Sequence, residues 1–199
     1  TMAKLYSFHG PMTAGKSTAL LQAADNYTRQ GGACLLLTTS LDTRHGQGLI
    51  TSRLGLQAHA QLYHPDTQLI PLVSPWIQQN SLTQNKAILI DEAQFLSYPQ
   101  VLDLHAIAHT LNIPVLAYGL RSTYKLTPFP GSSALLALAD TLTELKTICS
   151  CGKKATLNIL HSSDGSPILE GSDVNIENPS NPTRYRALCA DCFYSLPHH

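Results

Sequence analysis

The chain has few charged residues and no surplus of either sign. Among its 199 residues, 13 are Lys or Arg and 13 are Asp or Glu, so the formal net charge is zero and charged residues make up only 13%. Proteins that bind nucleic acid through its phosphates usually carry a basic patch. Because the sequence has no basic cluster, we predict that it binds no nucleic acid and that its ligands are small molecules.

Long apolar runs are also missing. No stretch approaches the roughly 20 apolar residues that a helix needs to cross a bilayer. The first residues, Thr1 to Lys4, lack the apolar core of a signal peptide. We therefore expect a cytoplasmic protein without a membrane partner.

One short segment has the pattern of a phosphate-binding loop. It follows a strand-like stretch, Leu5–Phe8, and precedes a helix-like run from Thr18 to Arg29. The backbone N–H groups of such a loop, the helix N-terminus, a lysine ammonium and a serine hydroxyl together bind polyphosphate and Mg²⁺. A Gly-rich turn that matches by chance is the alternative. The residues predicted to bind ATP and Mg²⁺ here are Gly10, Pro11, Met12, Thr13, Ala14, Gly15, Lys16, Ser17 and Thr18, of which the first eight match G-x-x-x-x-G-K-[ST].

Up to about residue 148, short apolar runs alternate with helical patterns, which is typical of an α/β fold with a parallel sheet. The predicted strands are Leu5–Phe8, Ala33–Thr38, Ala87–Ile90, Val115–Tyr118 and Leu145–Ile148. The predicted helices are 18–29, 98–111 and 134–142, and Ser132 or Ser133 is the expected N-cap of the last one.

Two acidic residues follow the apolar strand Ala87–Ile90. A P-loop enzyme needs an acid at the end of a neighbouring strand to hold the Mg²⁺ shell, and Asp91 has that position. Glu92 is predicted to be the catalytic base that takes the proton of the acceptor hydroxyl. The alternative is that both are solvated acids at a helix start.

Four of the five cysteines form two close pairs near the C-terminus, Cys149 with Cys151 and Cys189 with Cys192. Tetrahedral Zn²⁺ in closed structural sites takes four such thiolates. The region beyond Ile148 is poor in apolar residues, so we expect a structural zinc to stabilise it, whereas four unligated thiols are the alternative. Cys34 lies in an apolar strand and is expected to be a core thiol.

We accordingly predict two domains, a P-loop domain at residues 1–147 and a zinc-binding domain at residues 148–199. The nine histidines are taken as ordinary surface or core residues, because they are scattered singly along the chain and show no metal-ligand spacing.

Taken together, these segments resemble the type II thymidine kinase family in its bacterial form. The resemblance covers nearly the whole chain in order, and rests on the P-loop and on the segments 89–96, 118–121, 129–132 and 145–155. It implies a RecA-like P-loop core whose parallel sheet is joined to a small zinc-binding lasso domain that covers the nucleoside. The implied reaction transfers the γ-phosphate of ATP to the 5′-hydroxyl of thymidine or deoxyuridine. The family further implies a homotetramer and feedback inhibition by dTTP.

The resemblance also implies roles for single residues. Glu92 is the catalytic base, and Asp91 and Gln94 belong to the ATP and Mg²⁺ site. Phe95 matches the family aromatic that packs on the pyrimidine, and Tyr124 matches a second aromatic near the base.

Arginines after the second strand could supply positive charge. Arg44 is predicted to steady the transferring phosphate, since such charge requires a cation. A solvated surface role is the alternative, both for Arg44 and for Arg53.

The lasso differs from the family pattern. The family has an Ile-Gly-Gly segment shortly before a tyrosine, whereas residues 174–185 contain no glycine and include Pro179 and Pro182. Tyr185 keeps the family position before Cys189 and is predicted to bind substrate. Because proline lacks the N–H donor and fixes φ, we expect either an altered backbone approach to the base or an insertion that bulges into solvent.

Two further functions are compatible with a P-loop and a zinc segment. One is a RecA-type ATPase that acts on nucleic acid, which should have a basic face. The other is a non-catalytic nucleotide-binding regulator, which would not need the base Glu92.

Overall fold

The computed structural model describes residues 2–42, 47–171 and 184–196. Its centre is a six-stranded parallel sheet in the order β5-β2-β6-β7-β1-β8. The carboxyl ends of β1 and β6 therefore lie at the same edge, on either side of β7. The strands of this sheet are β1 Leu5–His9, β2 Ala33–Thr39, β5 Gln61–Tyr63, β6 Lys86–Ile90, β7 Val115–Gly119 and β8 Thr141–Glu144.

Helices cover both faces of the sheet. On one face Leu20 and Leu21 of α1 pack with Leu89 and Tyr118. On the other face α2, α3 and α4 contribute to the larger core around β6. Within the described ranges, no helix has both the length and the apolar character that a membrane span requires. The helices are α1 Lys16–Arg29, α2 Leu69–Gln79, α3 Tyr98–Thr110, α4 Pro130–Leu138 and α5 Ala190–Tyr194, with a 3₁₀ turn at Ala93–Phe95.

Local capping explains where two of these helices begin. Ser97 and Gln100 form a reciprocal capping box at the start of α3, in which each side chain accepts from the other residue's backbone N–H. The Asp103 carboxylate of α3 accepts from the first backbone N–H of α2, that of Leu69, at 3.1 Å. The two helices are therefore fastened to each other at their N-terminal ends.

Four of the five predicted strands, and the helices at 18–29 and 98–111, are confirmed to within a few residues. The last predicted strand is wrong: the sixth sheet strand is Thr141–Glu144, and Thr147–Ile148 is a separate short strand, β9. The preceding helix also lies earlier than predicted, with Phe129 as N-cap in place of Ser132 or Ser133. Proline suits the first helical turn, so Pro130 starts α4 sooner, and long-range pairing with β1 selects β8.

The described residues after Glu144 include small antiparallel sheets, whose strands beyond Ile148 were not among the predicted ones. β9 pairs with β10 (Lys154–Ala155), and β11 (Leu157–His161) lies between β12 (Pro167–Ile168) and β13 (Arg184–Leu188). A small core joins this region to α5, and its buried residues are Cys149, Ala155, Ile159, Leu188, Cys189 and Phe193. Residues 174–183 of the lasso segment that differs from the family pattern lie outside the described residues.

A short hairpin after β2 completes the fold. Its strands are β3 (Leu49–Thr51) and β4 (Gln57–His59), which pair antiparallel. The hairpin places the turn that contains Arg53 next to the carboxyl edge of the main sheet.

Candidate functional site

The carboxyl edge of the sheet contains a cleft of about 650 Å³. The P-loop, the start of α1, the end of β6 and the β3–β4 hairpin form its walls. Residues that line it include Met12, Thr13, Gly15, Lys16, Ser17, Thr18, Arg53, Asp91 and Glu92. The structure thus brings most of the predicted phosphate-site residues into one cavity with both acids.

The segment Gly10–Ser17, called the P-loop here, turns sharply just before α1. Thr13 and Gly15 have φ values of 72° and 78°, so the chain turns through left-handed conformations just before α1 begins. Glycine takes such a φ without strain, whereas threonine does so at a cost of the order of 1 kcal/mol or more. The helix N-terminus then points its free N–H groups into the cleft, where they suit an anion.

The Lys16 ammonium lies against the loop itself. Its Nζ donates to the carbonyl of Pro11 at 2.6 Å and to that of Gly10 at 3.2 Å. Burial lowers the pKa of Lys16 to about 8, although the nearby carboxylates of Glu92 and Asp91 act in the opposite direction. A bound phosphate would raise the pKa again, so the site favours an anionic ligand beside Lys16.

Ser17 and Asp91 meet across the cleft. The Ser17 hydroxyl donates to the Asp91 carboxylate at 3.2 and 3.3 Å. Asp91 is only 6% exposed, and burial followed by the charge of Glu92 raises its pKa to about 7. A cation offsets both effects, and Mg²⁺ prefers hydroxyl and carboxylate oxygens, so this pair fits a magnesium ion.

Glu92 has a constrained backbone. Its φ of 54° lies in the left-handed region, which is unusual for a residue with a side chain. The hydroxyl of the fully buried Tyr63 donates to the Glu92 carbonyl at 2.8 Å and so holds this conformation. The constraint directs the Glu92 side chain into the cleft beside Lys16.

Gln94 contacts Glu92 directly. Its amide Nε2 donates to the Glu92 carboxylate, and its Oε1 accepts from the backbone N–H of Leu120 at 3.1 Å. Gln94 is buried, so both bonds are shielded from water. Gln94 is therefore positioned to orient the Glu92 carboxylate, and its predicted part in the ATP and Mg²⁺ site stays a prediction.

Asn158 joins the C-terminal region to the P-loop, and the sequence reasoning missed it. Its Oδ1 accepts from the backbone N–H of Met12 at 2.7 Å, and its Nδ2 donates to the Ser122 carbonyl at 3.2 Å. The side chain is 2% exposed. A polar residue inside the apolar run 157–160 was the only available signal, because the contact spans 146 positions.

The three aromatic residues predicted to bind substrate belong to two pairs of contacting rings. Phe95 lies edge-on to Phe129 with ring centroids 5.6 Å apart, and Tyr124 lies edge-on to Tyr185 at 6.4 Å. The Tyr124 hydroxyl donates to the Glu170 carbonyl at 3.2 Å. Phe129 was not among the predicted site residues, although its segment carried part of the resemblance.

Of the two arginines considered as sources of positive charge, the structure describes one. Arg44 lies outside the described residues, whereas Arg53 lines the cleft. The positive charge of Arg53 also contributes to the lowered pKa of Lys16. The role of Arg44 therefore stays a prediction, whereas Arg53 is an arginine that the structure places at the cleft.

The four C-terminal cysteines converge as predicted. Their Sγ atoms all lie within 4.8 Å of one another, and the Sγ atoms of Cys151 and Cys189 are 3.6 Å apart. Four thiolates around Zn²⁺ are separated by about 3.8 Å, given Zn–S bonds of about 2.3 Å and a tetrahedral geometry. The spacing of Cys149, Cys151, Cys189 and Cys192 therefore fits zinc.

Charge within this cluster also favours a metal. Hydrogen bonds from the backbone N–H groups of Cys151 and Cys189 lower the pKa of Cys149 to about 6. Hydrogen bonds with the other cysteine sulfurs raise the pKa of Cys192 to about 12. The four sulfurs cannot all ionise without a cation between them, which Zn²⁺ would supply.

A family model and several known proteins that match this chain carry the same description. A family model described as "Thymidine kinase" matches residues 3–193. A thymidine kinase of Chromobacterium violaceum is 41% identical over 193 residues, which are 97% of this chain and 99% of the relative. A thymidine kinase of Zymomonas mobilis is 45% identical over 188 residues, 94% of each chain. One of Legionella pneumophila is 47% identical over 175 residues, 88% of this chain and 83% of the relative.

The role of Asn158 is testable. The substitution Asn158→Ala leaves the Met12 N–H without its buried acceptor, so we expect Mg-ATP binding to weaken by about tenfold. Isothermal titration calorimetry measures the affinity, and the exposed Asn26→Ala is the matched control. An Asn158→Ala protein that is folded and binds Mg-ATP within twofold of the wild type would remove Asn158 from the nucleotide site.

Proposed function

The chain belongs to the thymidine kinase family, and we propose that it transfers the γ-phosphate of ATP to the 5′-hydroxyl of thymidine or deoxyuridine. Family membership makes it a kinase that phosphorylates a nucleoside. The proposed mechanism rests on one observation: a single cleft is lined by Lys16, Ser17, Asp91 and Glu92.

The P-loop and α1 are proposed to bind the triphosphate. Lys16 would exchange its bonds with the Pro11 and Gly10 carbonyls for bonds with phosphate oxygens. Ser17 and Asp91 would hold Mg²⁺, which neutralises charge on the phosphates when bound. Arg53, which lines the same cleft from the β3–β4 turn, has the charge needed to stabilise the transferring phosphoryl group.

Glu92 is proposed to be the general base. As the 5′-oxygen of the nucleoside forms its bond to the γ-phosphorus, the bond from phosphorus to the β,γ-bridging oxygen breaks and ADP leaves. The Glu92 carboxylate accepts the proton of the hydroxyl in this step. The Gln94 amide, which donates to that carboxylate, orients it, and the Tyr63 hydroxyl fixes the backbone beneath it.

The nucleoside is proposed to bind beneath the C-terminal region. Phe95 supplies an aromatic surface for the pyrimidine. A second aromatic surface comes from Tyr124, in the loop after β7, and Tyr185, in β13. Residues 148–199 would act as the zinc-binding lasso domain. Its zinc is structural, because the four cysteines leave no position for a reacting water.

The remaining assignments follow the family and the composition. We propose a cytoplasmic homotetramer that dTTP inhibits. Zero net charge supports the absence of a nucleic-acid partner and disfavours a RecA-type ATPase acting on nucleic acid. The constrained, hydrogen-bonded Glu92 disfavours a non-catalytic regulator, because binding alone does not require an oriented base.

Replacement of the base tests the mechanism. The substitution Glu92→Gln removes the proton acceptor while keeping the side-chain shape, so we expect kcat to fall by about 10²-fold or more with Mg-ATP affinity nearly unchanged. Steady-state kinetics and ATP titration measure the two quantities. Glu144→Gln, which loses only a partly exposed ion pair with Lys154, is the control. Unchanged turnover in Glu92→Gln would exclude Glu92 as the base.

Removal of zinc tests the lasso assignment. Chelation should loosen the region after Ile148, so we expect KM for the nucleoside to rise more than KM for ATP. Cys151→Ser should reproduce this effect, whereas Cys34→Ser, outside the cluster, should not. An equal loss of affinity for both substrates would show that zinc supports the whole fold.

A further inference from the structure

A second group of metal-binding side chains lies outside the described cleft. His105 and His109 belong to α3, and Asp140 precedes β8. One ligand atom from each lies within 4.8 Å of the other two. The view that the histidines lack ligand spacing was therefore wrong for this pair, which has the i, i+4 spacing of neighbouring helical turns.

The two imidazoles face each other on one side of α3. Their ring centroids are 4.5 Å apart, and His109 Nε2 lies 2.9 Å from Asp140 Oδ2. In the part of the chain that the structure describes, no hydrogen bond to a ring nitrogen of His105 is found. An ion pair between His109 and Asp140 therefore does not account for the position of the His105 ring next to that of His109.

Asp140 is held in place independently of the histidines. Its Oδ2 accepts from the backbone N–H of Leu5 at 2.8 Å, at the first residue of β1. The same oxygen lies 2.9 Å from His109 Nε2, so the bond from the Leu5 backbone orients the carboxylate toward the histidines.

Two imidazoles and one carboxylate are a ligand set that Zn²⁺ accepts. Histidines at i and i+4 of a helix can bind one ion together, as they do in helical zinc motifs. Both histidines are partly exposed, so an ion can reach them from solvent. Nitrogen and oxygen ligands about 2.0 Å from a tetrahedral Zn²⁺ are about 3.3 Å apart, and the three ligand atoms already lie within 4.8 Å of one another. A water can take the fourth position.

We propose that His105, His109 and Asp140 bind one Zn²⁺ at a site distinct from the four cysteines. The site lies at the amino ends of β1 and β8, whereas the P-loop follows the carboxyl end of β1. The bound ion fastens the C-terminal half of α3 to the beginning of these two strands. Its effect is on stability, because it contacts none of the residues that line the cleft.

Zinc titration tests this site. The protein, with its cysteine site filled and loosely bound metal removed, is titrated with Zn²⁺ by isothermal calorimetry, and thermal unfolding is recorded with and without the added ion. We expect one further equivalent of zinc and a higher unfolding midpoint in the wild type. His105→Gln should bind at least about tenfold more weakly and lose the shift in midpoint.

The control is His64→Gln, because His64 is an exposed histidine away from the cluster. The terminal His198 and His199 are present in every variant and cannot cause a difference between them. His105→Gln removes no hydrogen bond, so it should fold; His109→Gln is the second variant. The same zinc binding in wild type and His105→Gln, or no equivalent beyond the cysteine site, would overturn the proposal.

Discussion

The parallel pairing of β1 and β6 to the two sides of β7 is the constraint on which the site depends. It places the P-loop, which follows β1, and the acids Asp91 and Glu92, which follow β6, at one edge of the sheet. The Ser17–Asp91 hydrogen bond is the direct consequence. If β1 and β6 ran in opposite directions, the P-loop and the two acids would lie at opposite edges of the sheet and could not share a cleft.

At this edge the surrounding structure holds Glu92 in a backbone conformation that is energetically unfavourable by itself. The left-handed backbone of Glu92 is held by the Tyr63 hydroxyl, and its carboxylate is held by Gln94. Close packing allows these contacts: a Cβ on Gly119 would lie 2.8 Å from the Gln94 nitrogen, so only glycine fits there. Local strain of this kind is typical of functional sites, where the surrounding structure offsets its cost.

Much of the fold, and the grouping of Lys16, Ser17, Asp91 and Glu92 at one cleft, could be predicted from the sequence because the signals are local. The P-loop, the acids after an apolar strand and the paired cysteines each occupy a few consecutive residues. The position of β8 could not be predicted, since pairing with β1 selects Thr141–Glu144 over the more apolar run that follows. Asn158 and Arg53 reach the site through long-range contacts that leave no motif, and Asp140 joins the two histidines in the same way.

The proposed reaction of this cleft is phosphorylation of a pyrimidine deoxynucleoside by ATP. ADP release from Mg-ATP, measured with each common nucleoside in turn and with identification of the phosphorylated product, tests it. We expect turnover with thymidine or deoxyuridine, giving the 5′-monophosphate, and little with purine nucleosides. Turnover that no nucleoside stimulates, or that only a purine nucleoside stimulates, would rule this reaction out.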